Sequence, residues 1–498
     1  MAGVRNGRGG AGSIGNIAAI ALMIVIIVLV SSALLAGPSL EDYWTLHLSD
    51  PHLGIESLAQ KRWIQDIHPP IFDAWATLLA RIGLTSIPIG RLATNLPALL
   101  ILVYAARRFA KRVPDQSRFY AIFVLLTLSA PATIQAFGVY RGDFWQMAAF
   151  AIQLMLARHI MYVEKDYRIS QDAGLAVIGI LGTLAAITLD YGGALFGGIV
   201  AMATMLAAIA RGLRRWSRFL VMTLILSISI VMYIISWQGP AWSATFDLYQ
   251  NWIEMGDSSA TGILIALLVG TILHNPVAIA GGYLGRENWT KHDTAFATLM
   301  GAALIASLVA VSQVDAQRRL ITSSNTADIA VLVTALMAAT GIKIADRRIW
   351  VAALGGVAIL SSILSLAEIG LDGGWQSNAK RITKIVQTCP QTRVYVASGW
   401  RLEVGTKSRA AQREERVFAL GYKRLGDAHG FTPIMVSPIA PQVGTPGRCP
   451  TLLWIEQVPP RTHPKPITIL KAVGLKGLDK SKLSIARTES GLILHAER

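Results

Sequence analysis

Acidic residues and histidines crowd the stretch from Glu41 to Asp73: Glu41, Asp42, His47, Asp50, His52, Glu56, Asp66, His68 and Asp73. Three chemistries suit such a run. Carboxylates and imidazoles bind metal ions. A single carboxylate in a partly desolvated place accepts a proton as a general base. A charged run can also simply be solvated. The spacings match no compact metal motif such as H-E-x-x-H, so no metal or other cofactor is expected. Glu41-Asp42 is the best-placed pair for proton transfer, and Asp42 is the expected base. Further on, charged groups recur beside apolar runs at Arg141-Gly142-Asp143, Asp190-Tyr191 and Arg318-Arg319. Ionisable side chains at membrane depth point to function. Each has a plainer reading: headgroup contact for Arg318 and Arg319, a loop-shaping ion pair for Asp143, a helix end for Asp190. Among the motifs absent are a Gly-rich phosphate loop, a nucleophile elbow and a Cys-x-x-Cys pair, which argues against nucleotide-driven pumping and thiol redox chemistry.

The elements that must carry these residues are membrane helices. The chain has 498 residues, 53% hydrophobic and only 15% charged, against about 25% charged in soluble domains. Mean hydropathy is +0.47. So little charge cannot cover a water-facing surface. The first apolar run, 14–35, follows Arg5 and Arg8 and is long enough to span a bilayer uncleaved. Further runs lie at 88–104, 119–137, 143–161, 172–190, 192–210, 217–236, 260–282, 294–312, 326–342 and 348–368, giving about eleven expected spans.

Lys+Arg total 46 and Asp+Glu 30, a formal net charge of +16. The basic residues follow the apolar runs, so membrane orientation explains them without nucleic acid. Arg107, Arg108, Lys111, Arg112, Arg118, Arg158, Arg211, Arg214 and Arg215 fall on turns that alternation places with the N-terminus. That excess puts the N-terminus in the cytoplasm and the loops 37–87 and 237–259 outside. In the second of these, Trp237, Trp242, Phe246, Tyr249 and Trp252 suit an interfacial belt or sugar stacking, the belt being favoured. His274-Asn275-Pro276 marks an expected kink. His68-Pro69-Pro70 opens an amphipathic helix over 71–84, short for a span and suited to lying along the surface.

From about residue 371 the chain changes character. Asn378–Gln387 reads as a helix, and Arg393–Ala397, Pro433–Val436, Leu452–Glu456 and Leu492–Ala496 read as strands. A small extracytoplasmic α/β domain over 371–498 is expected, after a membrane domain over 1–370. Cys389 and Cys449, the only cysteines, both lie in it, and a disulfide is expected outside the cytoplasm.

Taken in order, several pieces resemble the GT-C glycosyltransferases, in particular the branch with the protein O-mannosyltransferases and the lipid A aminoarabinose transferases. These are Glu41-Asp42-Tyr43 after the first span, His68-Pro69-Pro70, Gly90-Arg91-Leu92 through Arg107-Arg108, Tyr140-Arg141-Gly142-Asp143, Thr188-Leu189-Asp190-Tyr191 and Arg318-Arg319-Leu320. The resemblance covers roughly residues 14–370. The chain departs from it where Glu-Asp replaces Asp-Glu, where Asp190 replaces a histidine, and where Leu320 replaces a tyrosine.

The resemblance implies a multi-pass protein of the bacterial inner membrane. It would transfer a sugar from a polyprenyl-phosphate donor to an envelope lipid, glycan or protein on the periplasmic face. Asp42 or Glu41 would be the base. His68, Arg141, Asp143, Asp190, Tyr191, Arg318 and Arg319 would contact the substrates. The alternative function is a polar-lipid or oligosaccharide transporter, which tends to show paired halves and midplane charges.

Overall fold

The computed structural model describes residues 8–66, 68–113, 116–164, 173–255, 260–285, 289–317, 326–341, 348–369, 373–399, 409–436, 442–444, 448–457, 465–479, 482–488 and 491–496. Every expected apolar run is helical: α1 (Arg8–Leu35), α5 (Ile87–Arg112), α6 (Ser117–Ser129), α7 (Pro131–Phe137), α8 (Asp143–Tyr162), α9 (Ala173–Thr188), α10 (Tyr191–Ala210), α11 (Arg214–Met255), α12 (Ala260–Leu273), α13 (Pro276–Gly285), α14 (Lys291–Gln317), α15 (Ala327–Gly341) and α16 (Arg348–Ile369). The helices do not establish eleven spans. Among the described residues, six helices are long and apolar enough to cross a membrane, or seven if the bent pair α6–α7 is one span.

Breaks and burial account for the difference. α6 and α7 meet at an angle of 65°, at Pro131, whose missing N–H cannot continue the ladder. The expected kink at His274-Asn275-Pro276 is a full break between α12 and α13. Side chains at the break tie it to neighbouring helices: a ring nitrogen of His274 lies 3.3 Å from the Leu126 carbonyl, and the Asn275 side chain donates to the Leu354 carbonyl. α8 is buried on nearly every side, so its polar side chains reach for protein groups rather than for lipid or water. Gln153 donates to the Gly197 carbonyl. Arg158, expected on a cytoplasmic turn, is fully buried, paired with Asp293 and stacked 4.7 Å over Phe119.

The outer loop is built of short helices: α2 (Leu40–Leu48), α3 (Ile55–Lys61), a 3-10 turn (Trp63–Gln65) and α4 (Ile71–Arg81). The stretch 237–259, expected as a loop, instead continues α11 as far as Met255. Its helical state has tertiary support from the outer loop. Buried Gln238 donates to the carbonyls of Trp63 and His68, and Trp242 Nε1 donates to the Asp66 carbonyl. Trp242 therefore faces protein, not an interfacial belt. The side chains of Phe246, Tyr249 and Trp252 lie outside the described residues.

Beyond α16 come α17 (Gly373–Thr388), β1 (Arg393–Ser398), α18 (Arg409–His429), β2 (Pro433–Met435), β3 (Gln442–Val443), β4 (Thr451–Glu456), α19 (Pro466–Val473), β5 (Leu475–Lys476), β6 (Leu483–Arg487) and β7 (Gly491–Ala496). The main sheet runs β2-β1-β4-β7-β6. β2, β1 and β4 are parallel, while β4 with β7 and β7 with β6 are antiparallel. Every residue of β4 is buried, as expected for a strand covered on both faces. Cys389 and Cys449 form a disulfide.

The outer loop and the tail share one hydrophobic core. Tyr43, Trp44, Trp63 and Phe72 pack in the same cluster as Trp375, Phe418, Tyr422 and Trp454. At Gly421 on α18 a Cβ would come within 2.8 Å of both Tyr43 and Trp375, so α18 approaches α2 at a distance only glycine permits.

Candidate functional site

The sequence Ser39-Leu40-Glu41-Asp42 starts α2 as a capping box. Ser39 Oγ accepts from the Asp42 N–H, and Asp42 accepts from the Ser39 N–H. Such a box satisfies two orphan donors at the helix start. It also fixes the fates of the two carboxylates. Asp42 turns inward, with a fully buried side chain. Its Oδ1 accepts from Arg91 Nε at 3.0 Å and from the Tyr140 N–H at 2.7 Å. Its Oδ2 accepts from Arg91 Nη2 at 2.7 Å and from Ser39. Arg91 also donates to the carbonyls of Ala36 and Gly37. Asp42 thus ties α1, α2, α5 and the 138–142 turn together, and it does not line the cavity described next. Its lone pairs are occupied by donors, which leaves it unsuited to accept a substrate proton.

Glu41, one residue earlier, points the other way. Its side chain is 46% exposed and paired with Arg141. It forms part of the rim of a polar cavity, with Asp66, His68, Asp73, Arg141, Asp143, Gln146, Asp190 and Asp328 among its walls. Five separate pieces of chain meet there. α2 supplies Glu41, and the turn before α4 supplies Asp66 and His68. The 138–142 turn supplies Arg141, and the starts of α8, α10 and α15 supply Asp143, Asp190 and Asp328. Gly142 lets α4 close over the cavity, since a Cβ there would meet the Phe72 side chain at 3.1–3.3 Å.

Arg141 is the hub. Its guanidinium holds Glu41, contacts His68 Nε2, and places Nε 3.5 Å from Asp143 Oδ1. With His68 Nε2 accepting from Arg141, the ring proton belongs on Nδ1. Asp66 Oδ2 lies 3.5 Å from that nitrogen, and Asp66 is held by Trp44 Nε1 at 3.2 Å. Asp66, His68, Arg141 and Glu41 therefore form one relay across the cavity mouth. Asp73 lies behind it, 4% exposed, with Oδ2 unpartnered. Its carboxyl is held well above the usual carboxylate range, by burial first and by the Asp66 charge second, against the pull of Arg141.

Asp190 lines the cavity while capping α10, accepting from the N–H groups of Gly192 and Gly193. Tyr191 turns aside: its hydroxyl donates to Gln238, and its ring packs 5.0 Å from that of Trp242. Arg318 and Arg319 lie outside the described residues. Asp66 and Asp73 belong to the acidic run of the outer loop but were not among the expected substrate contacts. Asp328 and Gln146 were missed altogether. The signal for Asp328 is a carboxylate inside the apolar run 326–342, by the same membrane-depth logic that selected Asp143 and Asp190.

A second, mostly apolar cavity adjoins the first. It is lined by Pro131, Ala132, Gln135, Ala136 and Val139 on one side and by Ala266, Leu267, Gly270 and Thr271 of α12 on the other. Glu41, Arg141, Asp143 and Ala327 line both cavities. A polar chamber and an apolar groove thus meet at a carboxylate and a guanidinium. Among the described residues, no group of three or more histidine, cysteine or acidic side chains is arranged to hold a metal ion.

No family model and no curated protein matches this sequence. Among solved structures, the fold is similar to that of ArnT from Cupriavidus metallidurans in the apo state, with a TM-score of 0.55, 14% identity, and 97% of this chain covering 98% of that one. The structure of the same enzyme bound to undecaprenyl phosphate gives a TM-score of 0.54 at the same identity and coverage. ArnT is a lipid A aminoarabinose transferase of the GT-C superfamily. At this identity the likeness shows the fold alone: an ArnT-like bundle of apolar helices carrying a small C-terminal sheet region.

Proposed function

We propose that this protein is a membrane glycosyltransferase. It takes a sugar from a polyprenyl-phosphate carrier and passes it to an envelope lipid, glycan or protein at the outer face of the bacterial inner membrane. The observation that carries this reading is the junction of the two cavities at Glu41 and Arg141. A lipid-linked sugar has three parts with different solvents: an apolar tail, an anionic phosphate and a polar head. The groove along α7 and α12 suits the tail, Arg141 the phosphate, and the polar chamber the sugar and its acceptor. Undecaprenyl phosphate bound to the similarly folded ArnT is in keeping with a carrier of this kind.

Glu41 is the base in this reading, in place of Asp42. It removes the proton from the acceptor hydroxyl or amine as that atom attacks the anomeric carbon. The sugar–phosphate bond breaks on the opposite side, inverting the centre. Arg141 stabilises the negative charge left on the lipid phosphate, by charge-assisted hydrogen bonds that strengthen as the bond breaks. His68 and Asp66 hold the guanidinium in place. The Glu41–Arg141 pair loosens when phosphate arrives, which frees the carboxylate at the moment it is needed. A transporter would need ionisable groups near the midplane and paths to both sides. Here the charges of the site gather at one end of the bundle, where the starts of α8, α10 and α15 meet the outer loop.

Lipid and glycan profiling of a deletion strain, complemented with wild type or with Glu41→Gln, tests the reading. Wild type should restore a missing glycosylated product. Glu41→Gln should be made at normal levels and restore none. Full restoration by Glu41→Gln removes Glu41 as the base, and an unchanged profile in the deletion strain removes the transferase.

A further inference from the structure

The inner wall of the polar cavity holds hydrogen-bond acceptors that the protein itself leaves unused. Gln146 is one helical turn below Asp143 on α8, so it continues the wall inward from Arg141 and Asp143. Its amide nitrogen donates to the Ala186 carbonyl and to Asp328 Oδ2, each at 2.8 Å. Both amide hydrogens are then committed, which fixes the orientation of the group. Gln146 Oε1 and Asp328 Oδ1 are left without a partner, although the two residues are only 6% and 3% exposed. Asp73 Oδ2 on the facing wall is in the same state. A buried acceptor with no donor costs about 1–3 kcal/mol, and three around one chamber is a cost that a bound ligand can recover. The chamber is also rich in acidic side chains, with Asp66, Asp143, Asp190 and Asp328 in its walls against the single guanidinium of Arg141.

We propose that Gln146 and Asp328 are specificity-determining residues that accept hydrogen bonds from the hydroxyl groups of the donor sugar, selecting a neutral hydroxylated sugar and rejecting a uronic acid. This inference rests on the transferase reading above. The rigid Gln146–Asp328 pair presents two acceptors side by side, a pattern that vicinal hydroxyls satisfy. A sugar carboxylate in the same place has no hydrogen to donate to the two acceptors, and it would sit among the acidic side chains Asp143, Asp190 and Asp328, where a further negative charge is disfavoured. The division of labour follows: Arg141 holds the phosphate common to all carriers, and the inner wall reads the sugar.

The test compares lipids that share the carrier and differ in the head. Binding to the purified full chain in lipid nanodiscs is measured for undecaprenyl phosphate, for its phosphoglucose, phosphomannose and phosphoarabinose derivatives, and for the phosphoglucuronate. Wild type should bind at least one neutral sugar lipid about tenfold better than the bare phosphate lipid, the gain from about one recovered hydrogen bond. It should discriminate against the glucuronate lipid by at least as much. Asp328→Leu should lose that tenfold preference while binding the bare lipid within about twofold of wild type. Asp328→Asn keeps an oxygen for the Gln146 amide and serves if the leucine variant fails to fold. It should retain part of the neutral preference. Equal loss for bare and sugar-bearing lipids in both variants, or equal wild-type binding of neutral and anionic heads, overturns the proposal. Failure of wild type to bind the bare lipid strikes instead at the transferase reading, and takes this inference with it.

Discussion

Glu41 and Asp42 are adjacent in the chain and face opposite sides of α2. The sequence identifies the pair as chemically loaded, and the proposed base is Glu41 rather than the expected Asp42, because a choice made on charge leaves out capping. Ser39-Leu40-Glu41-Asp42 is a readable capping box, and the fourth residue of such a box, here Asp42, is spoken for. Asp42 also neutralises Arg91 in a site closed to solvent. Removing one partner of a buried pair costs about 3–5 kcal/mol, so Asp42→Asn should lower thermal stability in detergent by that order and reduce the amount of folded protein. Wild-type melting of Asp42→Asn, with transfer lost, would return the catalytic role to Asp42. Asp73 offers a pH test. Its folded carboxyl is shifted upward by burial and by Asp66, so the folded state holds the proton more tightly than the unfolded chain. The stability this provides is fully present below the ordinary aspartate range, about 3.9, and declines as pH rises toward the folded value. Asp73→Asn keeps the neutral shape and escapes the decline. Melting curves from pH 4 to 8 should therefore show the variant gaining on wild type as pH rises; a gap moving the other way would mean that Asp73 is ionised and paired.

At the scale of elements, what the sequence made legible was periodicity and composition; what it hid was tertiary support. Every apolar run became a helix, and Arg393–Ala397, Pro433–Val436, Leu452–Glu456 and Leu492–Ala496 lie within a residue or two of observed strands. β6 and α18 were missed. β6 alternates with its neighbours only weakly and is ordered by pairing with β7. α18 is charged along much of its length, and it gains its meaning from the face that meets Tyr43 and Trp375. The continuation of α11 past Pro240 depends likewise on Gln238 and Trp242 gripping the outer loop, a contact no local pattern announces. The docking of α18 on α2 matters for the site because Glu41 is carried by α2. Gly421→Val would force a side chain into the Tyr43 and Trp375 rings. Overpacking of this kind costs about 1–3 kcal/mol. The expected outcome is a lower melting temperature, a tail more sensitive to limited proteolysis, and weakened transfer with lipid binding retained. Normal transfer by a stably folded Gly421→Val protein would separate the tail from the positioning of Glu41.

At the scale of the whole molecule, one surface does the joining. The outer loop roofs the polar chamber with one face and shares a core with the tail on the other, so the tail must lie on the same side of the membrane as the site. The proposed function needs that side to be outside, and the two cysteines allow the placement to be read directly. They are the only cysteines in the chain and are bonded to each other across a separation of 60 residues. A crosslink closing a loop of that size is worth about 4 kcal/mol in the chain-entropy account, so Cys389→Ser should leave the tail markedly easier to digest. The same pair reports sidedness, since bacterial disulfides persist outside the cytoplasm and rarely inside it. On intact spheroplasts, a membrane-impermeant maleimide should label nothing until an impermeant reductant is added, and should then label two thiols per chain. Labelling without reductant would mean that the bond does not form in the cell. Labelling only after lysis would put the tail in the cytoplasm, and with it the outer loop, Glu41 and Arg141, which would remove lipid-linked transfer at the outer face as the work of this site.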